Sequence, residues 1–555
     1  LSRMPMSLVG HFDPKLFFNA SYGLALALLI IGAIILGRRP QLIKKHYREL
    51  LLVGQIGLPL FYLTLYPARL SLPTGELTKY ETTILLNVVL ALAIIYGIAD
   101  ILRRFRSAAG QKNPKSLFSP FAIFGLLVAL KLGYTVAPHI HPDDYHFGEN
   151  LLGLWSYLQG YVPYLDQLPA HGIIENDMRA TLSLLLYDGS AGAVAEAGRM
   201  TFAILGLAAF LSIYRVTGSL VLAFVALLPL GHRFGLIFLI PFICLWLSSN
   251  LRSQPAKWLI VFGITAPIVI LGVPPQGLVA VAAFGILAAK LTWDQIRTGD
   301  RKSWKQLLLA AGIVLTVIVF TPLLWMILGA VQYVLENGQI NQQAYGIPWT
   351  HSWYAELKGY GLEAIRNTWF FIPLAGVFIA HAHYKGFGDA RSVFYTALVL
   401  IVFCFLMISY SMGRIDPGSI SRSGLVSIFS WAVLFPLLMW TLIKAEMRAL
   451  LVLLVVVMTS LTGAGVSSLA GLVAAASQSI TVEPLRDADA AGVRNIGRSH
   501  VEDEQWSRIT RLNALLEARI EAGEPYLDLT SRNAHYFYVD RLPPIPVSAP
   551  YNLVH

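Results

Sequence analysis

Charged residues and cysteines are both scarce in this chain. Only 13% of its 555 residues are charged, whereas soluble globular proteins carry roughly 25%. The two cysteines, Cys244 and Cys404, both lie inside long apolar runs, which excludes a disulfide framework and a cysteine-based metal knuckle. Together with a hydrophobic content of 56%, the low charge indicates a polytopic membrane protein.

The hydrophobic residues fall into separate runs, most of them long enough to cross about 30 Å of hydrocarbon as a helix. The sequence therefore predicts an α-helical membrane protein with about 14 transmembrane helices. The predicted spans are 14–36, 50–67, 81–102, 117–136, 198–216, 218–231, 233–249, 257–272, 275–292, 306–331, 368–383, 391–411, 424–443 and 449–472.

Lysine and arginine concentrate in six of the seven alternate connections between these spans, which predicts that the connections of this set are cytoplasmic. They lie at 38–48, 103–115, 252–257, 297–305, 385–391 and 444–448. These loops account for most of the net charge of +10. The sequence has no basic stripe with interleaved aromatic residues, and therefore does not indicate nucleic-acid binding. The same alternation places three long regions, 137–197, 332–367 and 476–555, on the extracytoplasmic side.

The first of these regions opens with an unusual density of titratable groups. The segment from His139 to Glu149, hereafter the acidic segment, contains three histidines and three carboxylates directly after an apolar run. Carboxylates at a membrane surface lose hydration, and adjacent like charges split their proton affinities. We therefore take Asp143 and Asp144 as catalytic candidates, against the alternative that they are ordinary solvated loop acids. Glu149 is either a residue that positions the acceptor or an acid at a helix start.

Two further stretches of 137–197 have the spacing of amphipathic helices, through Leu151 to Leu158 and Met178 to Leu186, and are expected along the membrane surface. The second extracytoplasmic region is rich in aromatic residues. Its Tyr345, Trp349 and His351 are candidates for stacking on sugar rings, or equally for anchoring at the membrane interface.

The chain becomes polar again after the last predicted span. An amphipathic pattern from Trp506 to Leu516 predicts a helix, and 526–530 and 536–539 have the composition of two short strands. We expect a small C-terminal α/β domain that packs on the membrane part of the protein. Its expected role is docking or acceptor recognition, not catalysis.

A resemblance to a known family rests on the residues around the acidic segment. Asp143-Asp144 open an extracytoplasmic loop, and between the amphipathic stretches lies Gly160-Tyr161-Val162-Pro163-Tyr164-Leu165-Asp166, with His171 shortly after. The tail residues 526–530 and 541–544 add to the likeness. Together they resemble the GT-C superfamily of integral-membrane glycosyltransferases, which includes arabinofuranosyl-, aminoarabinose and O-mannosyl transferases. In that family the acidic loop usually follows the first helix, whereas here three helices precede its span.

The resemblance implies a domain organisation of extra N-terminal helices at 1–116, a catalytic transmembrane core at 117–475 and a C-terminal domain at 476–555. It also implies a bacterial cytoplasmic (inner) membrane protein, with its active site on the extracytoplasmic side. The implied reaction is inverting transfer of a sugar from a polyprenyl-phosphate-linked donor to a glycan, lipid or protein acceptor.

In that reaction a loop acid acts as general base, and cationic residues bind the donor phosphate, arginine suiting this best. The candidates for the phosphate are Arg233, our first choice, and His232, Lys131, Arg366, Arg414 and Arg422. The arginines are equally suited to anchoring at the interface. The remaining substrate-binding candidates are Glu149, His146, Tyr164, Asp166, His171, Tyr345, Trp349 and His351.

Three alternatives stay open. A divalent cation held by His139, His141, Asp143 and His146 would neutralise the phosphate, although the spacing of these residues matches no standard zinc signature. A transporter or flippase of lipid-linked sugars is a second function, but its ionisable groups would be expected near the middle of the membrane. A ligase or polymerase that joins lipid-linked glycans would use similar chemistry.

Overall fold

The structure is a computed structural model. It describes residues 14–38, 40–65, 82–110, 117–132, 139–169, 172–225, 227, 255–332, 335, 401–403, 405–406, 445–460, 485–541 and 543–544. Throughout these ranges the chain is helical or irregular, with only isolated bridges and no extended strand. The predicted helical class is thus confirmed for the described part of the chain.

The helices are numbered here in chain order. They are α1 Pro14–Arg38, α2 Pro40–Gly54, α3 Ile84–Gly110, α4 Pro120–Leu132, α5 Asp144–Leu158, α6 Ile173–Asn176, α7 Met178–Leu186, α8 Ala191–Thr217, α9 Leu220–Val225, α10 Pro255–Gly272, α11 Pro274–Thr298, α12 Arg301–Val319, α13 Leu323–Gln332, α14 Arg448–Ser460, α15 Asp503–Arg519 and α16 Ala534–Tyr538. Short 3₁₀ helices form at Leu58–Leu65, Ala445–Met447 and Arg494–Ile496.

Six described helical segments are long and apolar enough to cross a membrane, which is compatible with an integral membrane protein. They are Lys45–Leu65, Ile84–Ser107, Ala191–Arg215, Pro255–Gly272, Gly277–Arg297 and Arg301–Val319. Shorter apolar helices lie at Gly23–Ile35, Pro120–Ala129 and Leu323–Gln332. The predicted spans 233–249, 368–383 and 424–443 lie outside the described residues, as does most of 391–411.

Two of the differences from the sequence-based boundaries have a local cause. The predicted span 306–331 is divided, because α12 ends at Val319 and α13 begins at Leu323, immediately after Pro322. Proline lacks the N–H that would continue a helix. The predicted span 198–216 starts earlier, since Ser190 caps α8 by accepting the N–H of Ala193 at 3.1 Å.

The chain divides into two compact units. The first comprises Leu1–Lys79 and Val88–Ala129, and the second comprises Tyr80–Asn87 and Leu130–His555. In the first unit, buried Asp100 pairs with Arg103 at 2.5 Å and Arg104 at 2.7 Å, and it accepts the Ser119 hydroxyl at 2.9 Å. A carboxylate inside an apolar helix is thus fully partnered, as such groups must be.

In the second unit, α10 packs against α11 and α12, and α7 packs against α8. Residues 485–541, the tail segment, lie against α5 through α16. Ten residues of α5 are buried, including the unbroken run from Leu151 to Ser156. The tail segment and other helices therefore cover more than one side of α5, and its place along the membrane surface stays a prediction.

The two strands predicted in the tail are also absent. Residues 526–530 are irregular, and Tyr536 to Tyr538 form part of the short helix α16. Each aromatic side chain of α16 is buried, so tertiary packing has overridden the strand preference of the aromatic run. Within residues 485–541 the domain is helical, not α/β.

Candidate functional site

The acidic segment begins in contact with the tail segment. The N–H of Ile140 donates to the carbonyl of His500 at 2.9 Å, and His139 and His500 form an isolated parallel bridge. The imidazole rings of the two histidines stack with their centroids 4.9 Å apart. The start of the acidic segment is therefore held in place by residues from the far end of the chain.

Asp143 forms the N-cap of α5. Its Oδ1 accepts the N–H groups of Tyr145 at 3.1 Å and His146 at 3.3 Å, which the start of a helix leaves unpaired. Its Oδ2 lies 2.5 Å from Nδ1 of His146. Partial burial raises the pKa of Asp143, but the contacts with His146 and Tyr145 outweigh burial and lower it. The side chain remains 41% exposed.

Asp144, the next residue, has a very different environment. Its side chain is 2% exposed and accepts Nε2 of Gln505 and Nη2 of Arg508, each at 2.6 Å. Nε2 of His535 lies 3.4 Å from Oδ2, close enough for a charge contact but without the geometry of a hydrogen bond. Burial is the largest influence and raises the pKa of Asp144, but these three partners together lower it. Asp144 is therefore a buried anion.

His535 connects Asp144 to a second carboxylate of the tail. Its Nδ1 lies 3.2 Å from Oδ2 of Asp528. Burial is the largest influence and lowers the pKa of His535, but its contacts with Asp144 and Asp528 outweigh burial and raise it. When His535 is protonated, two carboxylates are balanced by two cations, His535 and Arg508. Such balance is what permits ionised groups in a buried position.

Apolar packing surrounds this polar cluster. A Cβ built on Gly148 would overlap the backbone nitrogen of Ala534, so the glycine allows α5 and α16 to approach closely. Sixteen buried residues form one core around this contact. They include Phe147, Leu151 and Leu154 from α5, and Ile509 and Phe537 from the tail segment. The tail segment thus packs directly against α5 and the acidic segment.

The two adjacent acids therefore have different chemical capacities. Asp144 is enclosed by tail residues and cannot meet a substrate in this arrangement. Asp143 keeps an exposed carboxylate at the helix start, in contact with the half-exposed ring of His146. A base must reach the proton that it removes, and of the two acids only Asp143 is exposed.

Other predicted site residues are dispersed around α5. Glu149 is buried on α5. Asp166 is exposed, and its Oδ2 accepts the N–H of Val162 at 2.8 Å, so it stabilises a turn of its own loop. The hydroxyl of Tyr164 donates to the carbonyl of Leu271 at 2.8 Å. None of these contacts brings Glu149, Tyr164 or Asp166 to Asp143.

One candidate for phosphate binding, Lys131, lies in α4. Nine other candidates for phosphate or substrate binding lie outside the described part of the chain: His171, His232, Arg233, Tyr345, Trp349, His351, Arg366, Arg414 and Arg422. Their roles stay predictions.

The metal alternative was based on the histidines of the acidic segment. Within the described ranges, no three His, Cys, Asp or Glu side chains converge as ligands for a metal ion. His139 stacks on His500, and Nδ1 of His141 accepts the N–H of Asp143 at 3.1 Å. These two rings are thus engaged in contacts within the chain, and chelation remains the direct test of a metal requirement.

Sequence reasoning missed the partners of Asp144. Gln505 and Arg508 lie one helical turn apart on α15, a spacing that marks a shared face but not what that face contacts. Asp528 lies in the first predicted strand, and His535 immediately precedes the second. It also missed Asp177, a fully buried carboxyl between α6 and α7.

In comparisons with known proteins, no family model matches the chain and no curated protein shows significant similarity to it.

Proposed function

We propose that this chain is an integral-membrane glycosyltransferase in which Asp143 acts as general base. It transfers a sugar with inversion from a polyprenyl-phosphate-linked donor to an extracytoplasmic acceptor. The observation that carries the proposal is the divergence of two adjacent acids: Asp144 is buried among tail residues, while Asp143 keeps an exposed carboxylate.

The proposed reaction needs a base and an anion-stabilising group. The acceptor hydroxyl loses its proton to Asp143 while its oxygen bonds to the anomeric carbon of the sugar. The bond from that carbon to the phosphate oxygen breaks, and the lipid phosphate leaves as an anion. The lowered pKa of Asp143 keeps it ionised and ready to accept the proton at neutral pH, at the expense of basicity.

The donor phosphate requires positive charge where it leaves. Arg233 is our first choice, with His232, Lys131, Arg366, Arg414 and Arg422 as further candidates. The proposal also includes fourteen spans, the bacterial inner membrane and an extracytoplasmic site. In this scheme the tail segment supports the acidic segment and contributes to acceptor recognition.

The test is transfer by the full-length protein in lipid nanodiscs, supplied with polyprenyl-phosphate-linked pentose or hexose donors. Asp143→Asn should lower the transfer rate by about 10²-fold or more, because asparagine still caps the helix but cannot take a proton. The matched control is Asp300→Asn, because Asp300 also caps a helix, α12, by accepting the N–H of Ser303. The control should retain full activity.

Two results would contradict the proposal. One is full transfer by Asp143→Asn. The other is movement of the lipid-linked sugar across the membrane without any transfer, which is the behaviour of a flippase. If transfer is observed, mass spectrometry of cell-envelope glycans with and without the chain will identify the acceptor class.

A further inference from the structure

Asp177 is a buried acid that the proposed reaction does not use. It lies between the single turn α6 and helix α7, and none of its surface is exposed to solvent. Its Oδ2 accepts the hydroxyl of Tyr157 at 2.5 Å, whereas its Oδ1 has no hydrogen-bond partner. A fully buried carboxyl with one oxygen unsatisfied is costly when ionised and calls for an explanation.

The surroundings of Asp177 leave little freedom for another arrangement. A Cβ built on Gly153 of α5 would overlap Oδ1 of Asp177, so the backbone of α5 lies directly against the carboxyl. On the preceding stretch, a Cβ built on Gly172 would overlap the carbonyl oxygen of Gly272. Residues 172–177 therefore pack against both α5 and the end of the apolar helix α10.

Among the described side chains, two tyrosines are the titratable groups that face Asp177. Tyr157 comes from α5, and Tyr164 comes from the loop that follows it. Arg179 of α7 lies near Gly198 of α8. Burial raises the pKa of Asp177 to about 7, against a smaller lowering by the hydrogen bond from Tyr157. Both tyrosines have pKa values raised, chiefly by their own burial, and remain neutral.

We propose that Asp177 is a proton-binding site whose loss of the proton weakens the packing of residues 172–177 between α5 and α10. In the ionised state, Tyr157 donates to Oδ2, and Oδ1 remains a buried anionic oxygen without a donor. In the protonated state the carboxyl is neutral, and the free-energy cost of burying an unpaired charge disappears. The site thus makes the packing of this segment on the apolar helix α10 depend on pH near neutrality. It does not rest on the proposed transferase activity.

The most direct test is infrared spectroscopy of the full-length protein, titrated from about pH 5 to about pH 9, a range in which ordinary aspartates stay ionised. A protonated carboxyl has a C=O stretching band that a carboxylate lacks. We expect such a band to disappear with a midpoint near pH 7. It should be missing from Asp177→Asn and retained in Asp188→Asn, which removes an exposed carboxylate of the same region.

The packing change has its own measurement. Hydrogen exchange of residues 172–186, corrected for the intrinsic effect of pH, should rise at least several-fold above the midpoint in the wild type and stay constant in Asp177→Asn. If Asp177→Asn fails to fold, Tyr157→Phe serves instead. It removes the hydrogen bond that lowers the pKa of Asp177, so the midpoint should move to higher pH.

The proposal is overturned if no carboxyl band titrates in this range, or if the titrating band is as intense in Asp177→Asn as in the wild type. It is equally overturned if the band titrates while the exchange of residues 172–186 stays constant, since the proton would then have no effect on packing. A midpoint unchanged in Tyr157→Phe would contradict the assignment to Asp177.

Discussion

Arg508 is the residue whose removal should most directly loosen the tail segment from the acidic segment. Its Nη2 lies 2.6 Å from Oδ2 of Asp144, a carboxylate that is only 2% exposed. Removing one partner of a fully buried ion pair costs about 3–5 kcal/mol, because the other charge is left uncompensated. In Arg508→Met, the apolar part of the side chain is largely kept while the charge is lost.

The expected cost is somewhat below that range for two reasons. Arg508 is 24% exposed, so solvent already screens part of its charge, and His535 still lies 3.4 Å from Asp144 in the variant. We therefore expect Arg508→Met to lower the free energy of opening the tail by about 2–3 kcal/mol. That change corresponds to a rise of about 30- to 150-fold in the exchange rates of protected amides in α15.

Native-state hydrogen exchange on the full-length protein measures this opening without requiring the membrane helices to unfold. Arg511→Met is the matched control, because Arg511 lies on the same helix, is exposed and, among the described residues, bonds to Ser507 one turn away. A change within about 0.5 kcal/mol is expected. In an Asp144→Asn background, Arg508→Met should cost at least about 1 kcal/mol less. Equal effects of Arg508→Met and Arg511→Met would refute the view that Asp144 anchors the tail.

Three further outcomes follow from the same contacts. Gly148→Ala should destabilise the packing of α5 on α16 by about 1–3 kcal/mol, because its Cβ would overlap the backbone of Ala534; thermal unfolding equal to wild type would contradict this. Docking of the tail should be strongest between about pH 4 and 6.5, which proteolysis of the tail across pH would check. The lowered pKa of Asp144 removes stability as pH falls below the ordinary aspartate value of 3.8, and the raised pKa of His535 removes it as pH rises above the ordinary histidine value of 6.5. The pKa of Asp177 is raised from 3.8 to about 7, so its contribution to stability is lost as pH rises between these values. Above pH 7, the free energy of unfolding of Asp177→Asn should therefore exceed that of the wild type by up to about 4 kcal/mol, and the variant should unfold at a higher temperature. Lower stability of the variant at pH 8 would contradict the assignment.

Much of the fold was predictable from hydrophobic patterning. Runs such as 257–272 and 275–292 correspond closely to α10 and α11, because helix length and composition in a membrane are set by local chemistry. The break at Pro322 is also local, but it required recognising one proline inside an otherwise continuous run. The strands expected at 526–530 and 536–539 failed because their composition is ambiguous and tertiary burial decided the outcome.

The candidate site was predictable only in part. The position of Asp143 and Asp144 after an apolar run drew attention to both, yet nothing local distinguishes them. Their difference is set by α15, since Arg508 is 364 residues away from Asp144 in the chain. Asp177 carries no motif, and its character arises from Gly153 and Tyr157 on a neighbouring helix. Pairings of this kind depend on tertiary structure and leave no periodic signal in the sequence.

The division of roles between the two adjacent acids is the central claim, and one paired measurement tests it. Transfer rate and amide protection of α15 are measured together for Asp143→Asn and Asp144→Asn in the full-length protein. The account predicts that Asp143→Asn loses transfer while α15 keeps its wild-type protection, and that Asp144→Asn lowers the protection of α15. Full transfer by Asp143→Asn, or wild-type protection of α15 in Asp144→Asn, would contradict it.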